Sequence, residues 1–450
     1  MREVAVRSRT IVFVLCTAAF MATLDVFVVN VAFTDIGRSY SASSLSDLSW
    51  VLNAYTIAYA ALLIPAGRMA DRHGRKAGFL LGLTVFTLAS VACAAAPSLW
   101  WLVAFRVLQA AGAAALTPTS LALLLTALAP HQRAGAVKVW AITSSFAAAV
   151  GPVVGGALLQ VSWQWIFLIN LPVGILAFVG AARLVPDSRD ETVTRTPDLL
   201  GVGVFAVAIG ALALGLVKDG AWIAFVVAAL GLVAFAVRIV RHPVPVVDPA
   251  LLRVPTFVWA NVTALLFCVA FGAVFPSVVL WLENVAGFST LATGFAIVPG
   301  PLMVPLFAAV GQRLSRAIPV RVVTAVGNLL FSGGAVLLAV SASTDVDYPL
   351  RVLPGWMIIG VGIGLALPNI IAAATAALPA AQAATGSAVV NTSRQLGYVF
   401  GVAILVAILG AIDVPHDRAL AAFQHGWWFI ALTAALSAAT ALGLTQAVRR

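Results

Sequence analysis

Charge is scarce in this chain. Only 9% of its 450 residues are Asp, Glu, Lys or Arg, whereas a soluble globular domain carries roughly 25%, so water is excluded as the main solvent. Cysteine is almost missing: Cys16, Cys93 and Cys268 stand singly inside apolar stretches, which excludes a disulfide framework or a thiolate metal site and leaves them as small core residues. The histidines are few, and all five (His73, His131, His242, His416, His425) are read as loop residues. No H-E-x-x-H pair occurs and no long polar region is present to house a catalytic domain, so an integral-membrane enzyme is poorly supported.

What the chain does have is apolar length. It is 62% hydrophobic with a mean hydropathy of +1.06, and a bilayer core needs about 20 consecutive apolar residues per spanning helix. Apolar windows between polar or Gly/Pro breaks predict spans at 11 to 33, 49 to 67, 77 to 96, 99 to 125, 136 to 158, 165 to 185, 199 to 217, 221 to 240, 256 to 281, 290 to 311, 320 to 341, 351 to 376, 386 to 411 and 424 to 447. The chain thus reads as an all-α integral membrane protein with about fourteen transmembrane helices. The first run follows Arg2, Arg7 and Arg9, but it is long, has no clear cleavage site and contains Asp25, so it is kept as a span rather than a leader. The longest connection, near 186 to 198, is merely polar and charged.

The net charge of +10 is spread over short loops rather than gathered in one patch, which argues against a nucleic-acid partner. Cytoplasmic loops carry the excess of Lys and Arg. With the N-terminus inside, about 20 of the 26 basic residues fall on the inner face and about four outside (Arg38, Lys218, Arg351, Arg418), while Arg106 and Arg394 lie within spans. Both basic ends, Arg2 and the Arg449–Arg450 pair, are then cytoplasmic, and the span number is even.

Polar residues at membrane depth mark the candidate chemistry. Asp25 lies in L-D-V-F-V-V-N-V-A, roughly 6 Å outward of the first span's midpoint. A carboxylate there costs about 2.5 to 3.5 kcal/mol on insertion scales, so it either lines an ion path, taking up and releasing a proton as access alternates, or is permanently ion-paired. Arg106, in R-V-L-Q-A-A-G of the fourth span, sits at nearly the same depth. A pair with Asp25, direct or through Gln109 or water, is expected, acting either as a switch or as a packing lock. The loop G-R-M-A-D-R-H-G-R-K, Gly67 to Lys76, combines two glycines with Arg68, Arg72, Arg75 and Lys76. Topogenesis alone explains those cations; Asp71, able to accept from a helix N-terminus or from the arginines, suggests a charge latch. Asn391, Arg394 and Gln395 of the thirteenth span, with Asn30 of the first and Gln109, are candidates for a substrate cavity; Arg394 either meets an anionic group or serves as a structural element. Pro299, Pro301 and Pro305 read as bends, and Trp100, Trp101, Trp427 and Trp428 as interface anchors.

These segments, followed by G-P-V-V-G-G-A-L, S-W-Q-W-I-F-L-I-N-L-P-V-G, G-F-S-T-L-A-T-G-F-A-I-V-P-G-P and V-V-N-T-S-R-Q-L-G-Y-V-F-G-V-A, together resemble the major facilitator superfamily, in its fourteen-span drug:proton antiporter branch. The resemblance implies a six-helix bundle over 1–185, a linker with two extra spans over 186–255 and a second six-helix bundle over 256–450, with alternating access to a midplane site. It further implies proton coupling at Asp25 and Arg106, a conformational latch at Gly67, Asp71, Arg72, Gly74, Arg75 and Lys76, and an antiporter motif at Gly151, Pro152, Gly155 and Gly156. The chain departs from the pattern at Gln164, where an arginine is common. In addition, G-Q-R-L-S-R-A-I-P-V-R of the second half lacks an acid, and no second carboxylate lies deep there, Glu283 being near a span end. Dicationic substrates are therefore disfavoured. The implied activity is proton-driven export of small amphipathic molecules across the bacterial inner membrane, by a monomer, with no cofactor or metal and with lipid, protons and a small-molecule substrate as partners. Proton-linked uptake is the alternative within transport.

Overall fold

In the computed structural model, fourteen helices among the described residues are long and apolar enough to cross a bilayer. Described are residues 2–40, 44–189, 198–218, 220–242, 249–343, 347–376, 378, 380–410 and 416–444. Arg449, Arg450 and most of the 186 to 198 connection lie outside them. The spans are Ser8–Val31, Leu45–His73, Arg75–Ala94, Leu99–Ala127, Gly135–Leu159, Trp165–Leu184, Leu199–Val217, Trp222–Arg241, Pro255–Asn284, Thr290–Leu314, Val320–Ser341, Tyr348–Ala374, Val389–Leu409 and Ala419–Ala441. No strand occurs among the described residues. Lipid offers backbone groups no hydrogen-bond partner, so each segment satisfies its own by coiling into a helix.

The chain forms two compact units, Met1–Ala42 with Trp50–Ala206 and His242–Val246, and Ser43–Ser49 with Val207–Arg241 and Val247–Arg450. In the first, the first span packs against the fourth, fifth and sixth, and the third against the fourth and sixth. In the second, the ninth span packs against the twelfth, thirteenth and fourteenth, and the eleventh against the twelfth and fourteenth. The same neighbour pattern thus occurs twice, offset by eight spans. Close approach rests on glycine: a Cβ at Gly112 would lie 2.5 Å from the Phe86 nitrogen, and one at Gly362 would lie 2.5 Å from the Phe331 nitrogen and the Gly327 oxygen. Small residues at such crossings let dispersion contacts replace the hydrophobic drive that lipid cannot supply.

The seventh and eighth spans pack on each other, Gly231 meeting Ala208 and Gly215 meeting the Phe225 ring. Apolar side chains such as Val207, Ile223, Leu230 and Val240 remain more than half exposed, which suits a lipid-facing hairpin. The tenth span is broken into Thr290–Ile297 and Pro299–Leu314. Pro301 has no N–H to offer the Ile297 carbonyl one turn earlier, and the Trp356 indole takes its place, donating to that oxygen at 2.7 Å.

Two expectations are corrected here. Trp427 is not an interface anchor: it is buried, its indole donates to Ser277 Oγ at 3.1 Å and its ring meets Trp281 edge-on. Trp100, Trp101 and Trp428 are exposed. Four of the five histidines are helical rather than in loops: His73 ends the second-span helix, His131 and His416 lie at helix starts, and His425 lies within the fourteenth span, where backbone bonding continues through the polar Gln424–His425 pair.

Candidate functional site

Asp25 stands at the meeting point of five spans. Its side chain has 0% exposure and that of Arg106 1%. Arg106 and Gln109 are three residues apart on the fourth span, so they share one helix face. Arg106 Nη1 lies 2.5 Å from Asp25 Oδ2, while Gln109 Nε2 at 2.8 Å and Asn170 Nδ2 at 3.0 Å both donate to Oδ1. The Gln109 amide is oriented by its other end, since Oε1 accepts from Arg106 Nη1 at 2.6 Å. Ser90 Oγ of the third span accepts from Gln109 Nε2 at 2.7 Å and from Asn170 Nδ2 at 3.2 Å, and donates to the Phe86 carbonyl. The second span completes the guanidinium's surroundings: Arg106 Nε donates to the Val51 carbonyl at 3.2 Å, and the Tyr55 ring centroid lies 4.0 Å from Cζ. An acid that lipid alone would penalise is therefore met by three donors, and its arginine by a carboxylate, an amide, a carbonyl and a π face.

The Gly67–Lys76 segment is not the loop the sequence suggested: Gly67–His73 finish the second-span helix and Arg75 opens the third, leaving Gly74 alone between them, and the junction is tied down at several points. Asp71 Oδ1 accepts from Arg75 Nε at 2.6 Å, so of its two expected partners it takes an arginine. The acid beside the third-span N-terminus is Asp187, whose Oδ1 is 3.4 Å from the Lys76 nitrogen. Gly74 has φ +121°, a conformation that side-chain-bearing residues rarely adopt, and a Cβ there would also lie 3.4 Å from Asp187 Oδ1. The Arg75 nitrogen donates to the Ser188 carbonyl at 2.8 Å, and Lys76 Nζ to the Ala182 carbonyl at 2.8 Å. Gly67 lies close to Pro118, and Arg72 is exposed. On the fifth span, a Cβ at Gly151 would fall 2.7 Å from that of Phe27 and one at Gly155 3.3 Å from Val28; Pro152 and Gly156 are buried between and beside them. This small-residue face thus packs on the first span immediately after Asp25.

Residues 15–402 match the Major Facilitator Superfamily. The chain belongs to that family. Among the relatives of this major facilitator protein, the multidrug resistance protein Stp of Mycobacterium tuberculosis is 33% identical over 87% of the chain and 74% of the relative. The methylenomycin A resistance protein of Bacillus subtilis is 33% identical over 96% and 93%, and the cephamycin export protein CmcT of Amycolatopsis lactamdurans 31% over 88% and 84%. The fold is also that of a POT family transporter solved with 5-aminolevulinic acid (TM-score 0.72, 14% identity, 95% of this chain and 94% of that one). A D-xylose-proton symporter shares it as well (0.68, 13%, 98% of each).

The remaining candidates of this major facilitator chain are placed as follows. Gln109, expected at a cavity wall, is fully buried and committed at both amide ends to the Asp25 cluster. Asn30 is half-buried and donates to its own helix at Val26. In the second unit Arg394 Nη1 donates to Asn391 Oδ1 at 2.9 Å, with Cys268 and Tyr398 also in its surroundings, and Gln395 is half-buried. Sequence reasoning missed Asn170, Ser90, Tyr55 and the Val51 carbonyl. Asn170 carried a signal, a lone amide within I-F-L-I-N-L-P; a serine and a backbone oxygen carried none. It also missed Asp187, the acid beside the third-span N-terminus. Among the described residues no cluster of His, Cys, Asp or Glu suits a metal ion.

Proposed function

We propose that this chain is a proton-coupled antiporter exporting small amphipathic molecules, such as drugs, antibiotics or a secondary metabolite, across the bacterial cytoplasmic membrane. The observation that carries the reading is Asp25: a carboxylate at membrane depth paired with one guanidinium and hydrogen-bonded by two neutral amides. Protonation at a carboxylate oxygen removes the Coulomb attraction to Arg106, so a proton arriving from outside releases the arginine. Loss of that proton to the inside restores the pair. Coupling follows if the paired and unpaired arrangements favour opposite accessibilities, so that substrate moves out as protons move in. The proton gradient supplies the driving force, no cofactor is required, and a single chain suffices.

Export is supported by the names of the relatives, which describe multidrug resistance, methylenomycin A resistance and cephamycin export. Within this reading, 1–185 and 256–450 act as the two bundles and 186–255 as the linker, with both termini cytoplasmic. Gly67, Asp71, Arg72, Gly74, Arg75 and Lys76 form the latch, Gly151, Pro152, Gly155 and Gly156 the antiporter motif, and Asn30, Asn391, Arg394 and Gln395 face substrate.

The test is transport of a fluorescent amphipathic cation in everted vesicles with an imposed proton gradient. Wild-type protein should accumulate the dye, and Asp25→Asn should abolish gradient-driven accumulation while the protein stays folded. Undiminished active transport by that variant would reject Asp25 as the coupling site, and dye driven the other way would replace export by proton-linked uptake.

A further inference from the structure

The two halves carry corresponding connections of unlike charge balance. In G-R-M-A-D-R-H-G-R-K, Asp71 holds Arg75, the Ala182 carbonyl holds Lys76, and Asp187 lies against the turn. In G-Q-R-L-S-R-A-I-P-V-R, Gly311 to Arg321, a serine occupies the place of Asp71 and the segment contains no acid. Ser315 Oγ donates to the Gly311 carbonyl at 2.8 Å and to Asn369 Oδ1 at 3.0 Å, both neutral partners.

Arg313, Arg316 and Arg321 are all exposed, and no acidic side chain among the described residues pairs with any of them. Between and beside them Leu314 is 38% exposed, Ile318 37% and Val322 40%. The connection joins the end of the tenth-span helix, Leu314, to the start of the eleventh at Val320, so these side chains lie where hydrocarbon gives way to headgroups. It is also ordered by its own backbone. Ser315 N bonds Gly311 O at 2.9 Å, Ala317 N bonds Leu314 O at 3.0 Å, and Ile318 N bonds Leu314 O at 2.8 Å.

We propose that this connection is a docking surface for anionic phospholipid, the three arginines meeting the headgroup phosphate and Leu314, Ile318 and Val322 lying against the acyl chains. Guanidinium groups match phosphate oxygens in geometry as well as charge. A basic side chain near an anionic leaflet contributes on the order of 1 kcal/mol, and a preordered turn loses little freedom on binding. A loop whose arginines served only topogenesis would retain anionic and zwitterionic lipid alike.

The experiment is native mass spectrometry of the purified full-length protein with phosphatidylglycerol or phosphatidylcholine of equal acyl length. Wild-type protein should retain phosphatidylglycerol about tenfold or more better than the triple variant Arg313→Gln, Arg316→Gln, Arg321→Gln, with phosphatidylcholine retention equal in both. A control triple of exposed arginines on three different helices, Arg9→Gln, Arg183→Gln, Arg241→Gln, should lose clearly less than the loop triple. If the first triple fails to fold, the single variants Arg313→Gln and Arg316→Gln provide the reading, each with about a fivefold loss. Undiminished phosphatidylglycerol retention in the loop variants, or an equal loss in the control triple, would overturn the proposal.

Discussion

At the scale of single residues, the Asp25 cluster sets one buried carboxylate against one buried guanidinium, each held by further polar groups. Arg106→Leu leaves the carboxylate two amide donors and no counter-charge, and breaking a buried pair on one side costs about 3 to 5 kcal/mol. The melting temperature in detergent should fall sharply for Arg106→Leu. It should recover in large part when Asp25→Asn is added, because the uncompensated charge is then gone; a double variant no more stable than Arg106→Leu would refute the pairing as the source of the loss. Asp25 and Arg106 were legible in the sequence because charge at membrane depth is rare. Ser90 and Tyr55 were not, since serine and tyrosine are unremarkable in apolar helices until the fold turns them toward a charge.

At the scale of elements, glycine and proline decide which helices touch and where they break. Gly151→Val would drive a branched side chain into Phe27 and separate the first and fifth spans beside Asp25, whereas nothing lies within 4 Å of a Cβ at Gly210. Thermal unfolding should show Gly151→Val strongly destabilised, by about 1 to 3 kcal/mol or more, and Gly210→Ala near neutral. Equal melting temperatures would show that the close approach contributes nothing. The tenth span offers a second test. Trp356→Phe keeps the ring but orphans the Ile297 carbonyl, whose helical partner position holds a proline, at about 1 to 3 kcal/mol. Wild-type stability in that variant would mean the break is satisfied otherwise. Span positions followed from apolar windows, and the seventh and eleventh agree with the structure at both ends. The fourteenth, read as 424 to 447 and found as Ala419–Ala441, was displaced because polar residues near its start continue the helix. Trp427 was misread because an aromatic near a span end looks the same whether it turns to the interface or to the interior.

For the whole molecule, orientation rests on the Lys and Arg bias. Single cysteines placed at Arg9 and Arg418 in intact cells should respond oppositely to a membrane-impermeant thiol reagent, Arg418→Cys labelled from outside and Arg9→Cys protected. The native Cys16, Cys93 and Cys268 are buried and give little background. Labelling of both sites, or of Arg9→Cys alone, would invert or break the proposed topology. The amino-acid order by itself determined the solvent, the helical class, the span number and the ordered motifs of the family, because hydropathy and sparse charge are local properties that lipid reads directly. Packing of distant helices alone settled that Asn170 and Ser90 join Gln109 around Asp25, that Asp187 rather than Asp71 sits at the third-span N-terminus, and that among the described residues no acid pairs with Arg313, Arg316 or Arg321. Hydrogen bonds and ion pairs depend on which faces of distant helices meet, and that is set by packing rather than by neighbours along the chain.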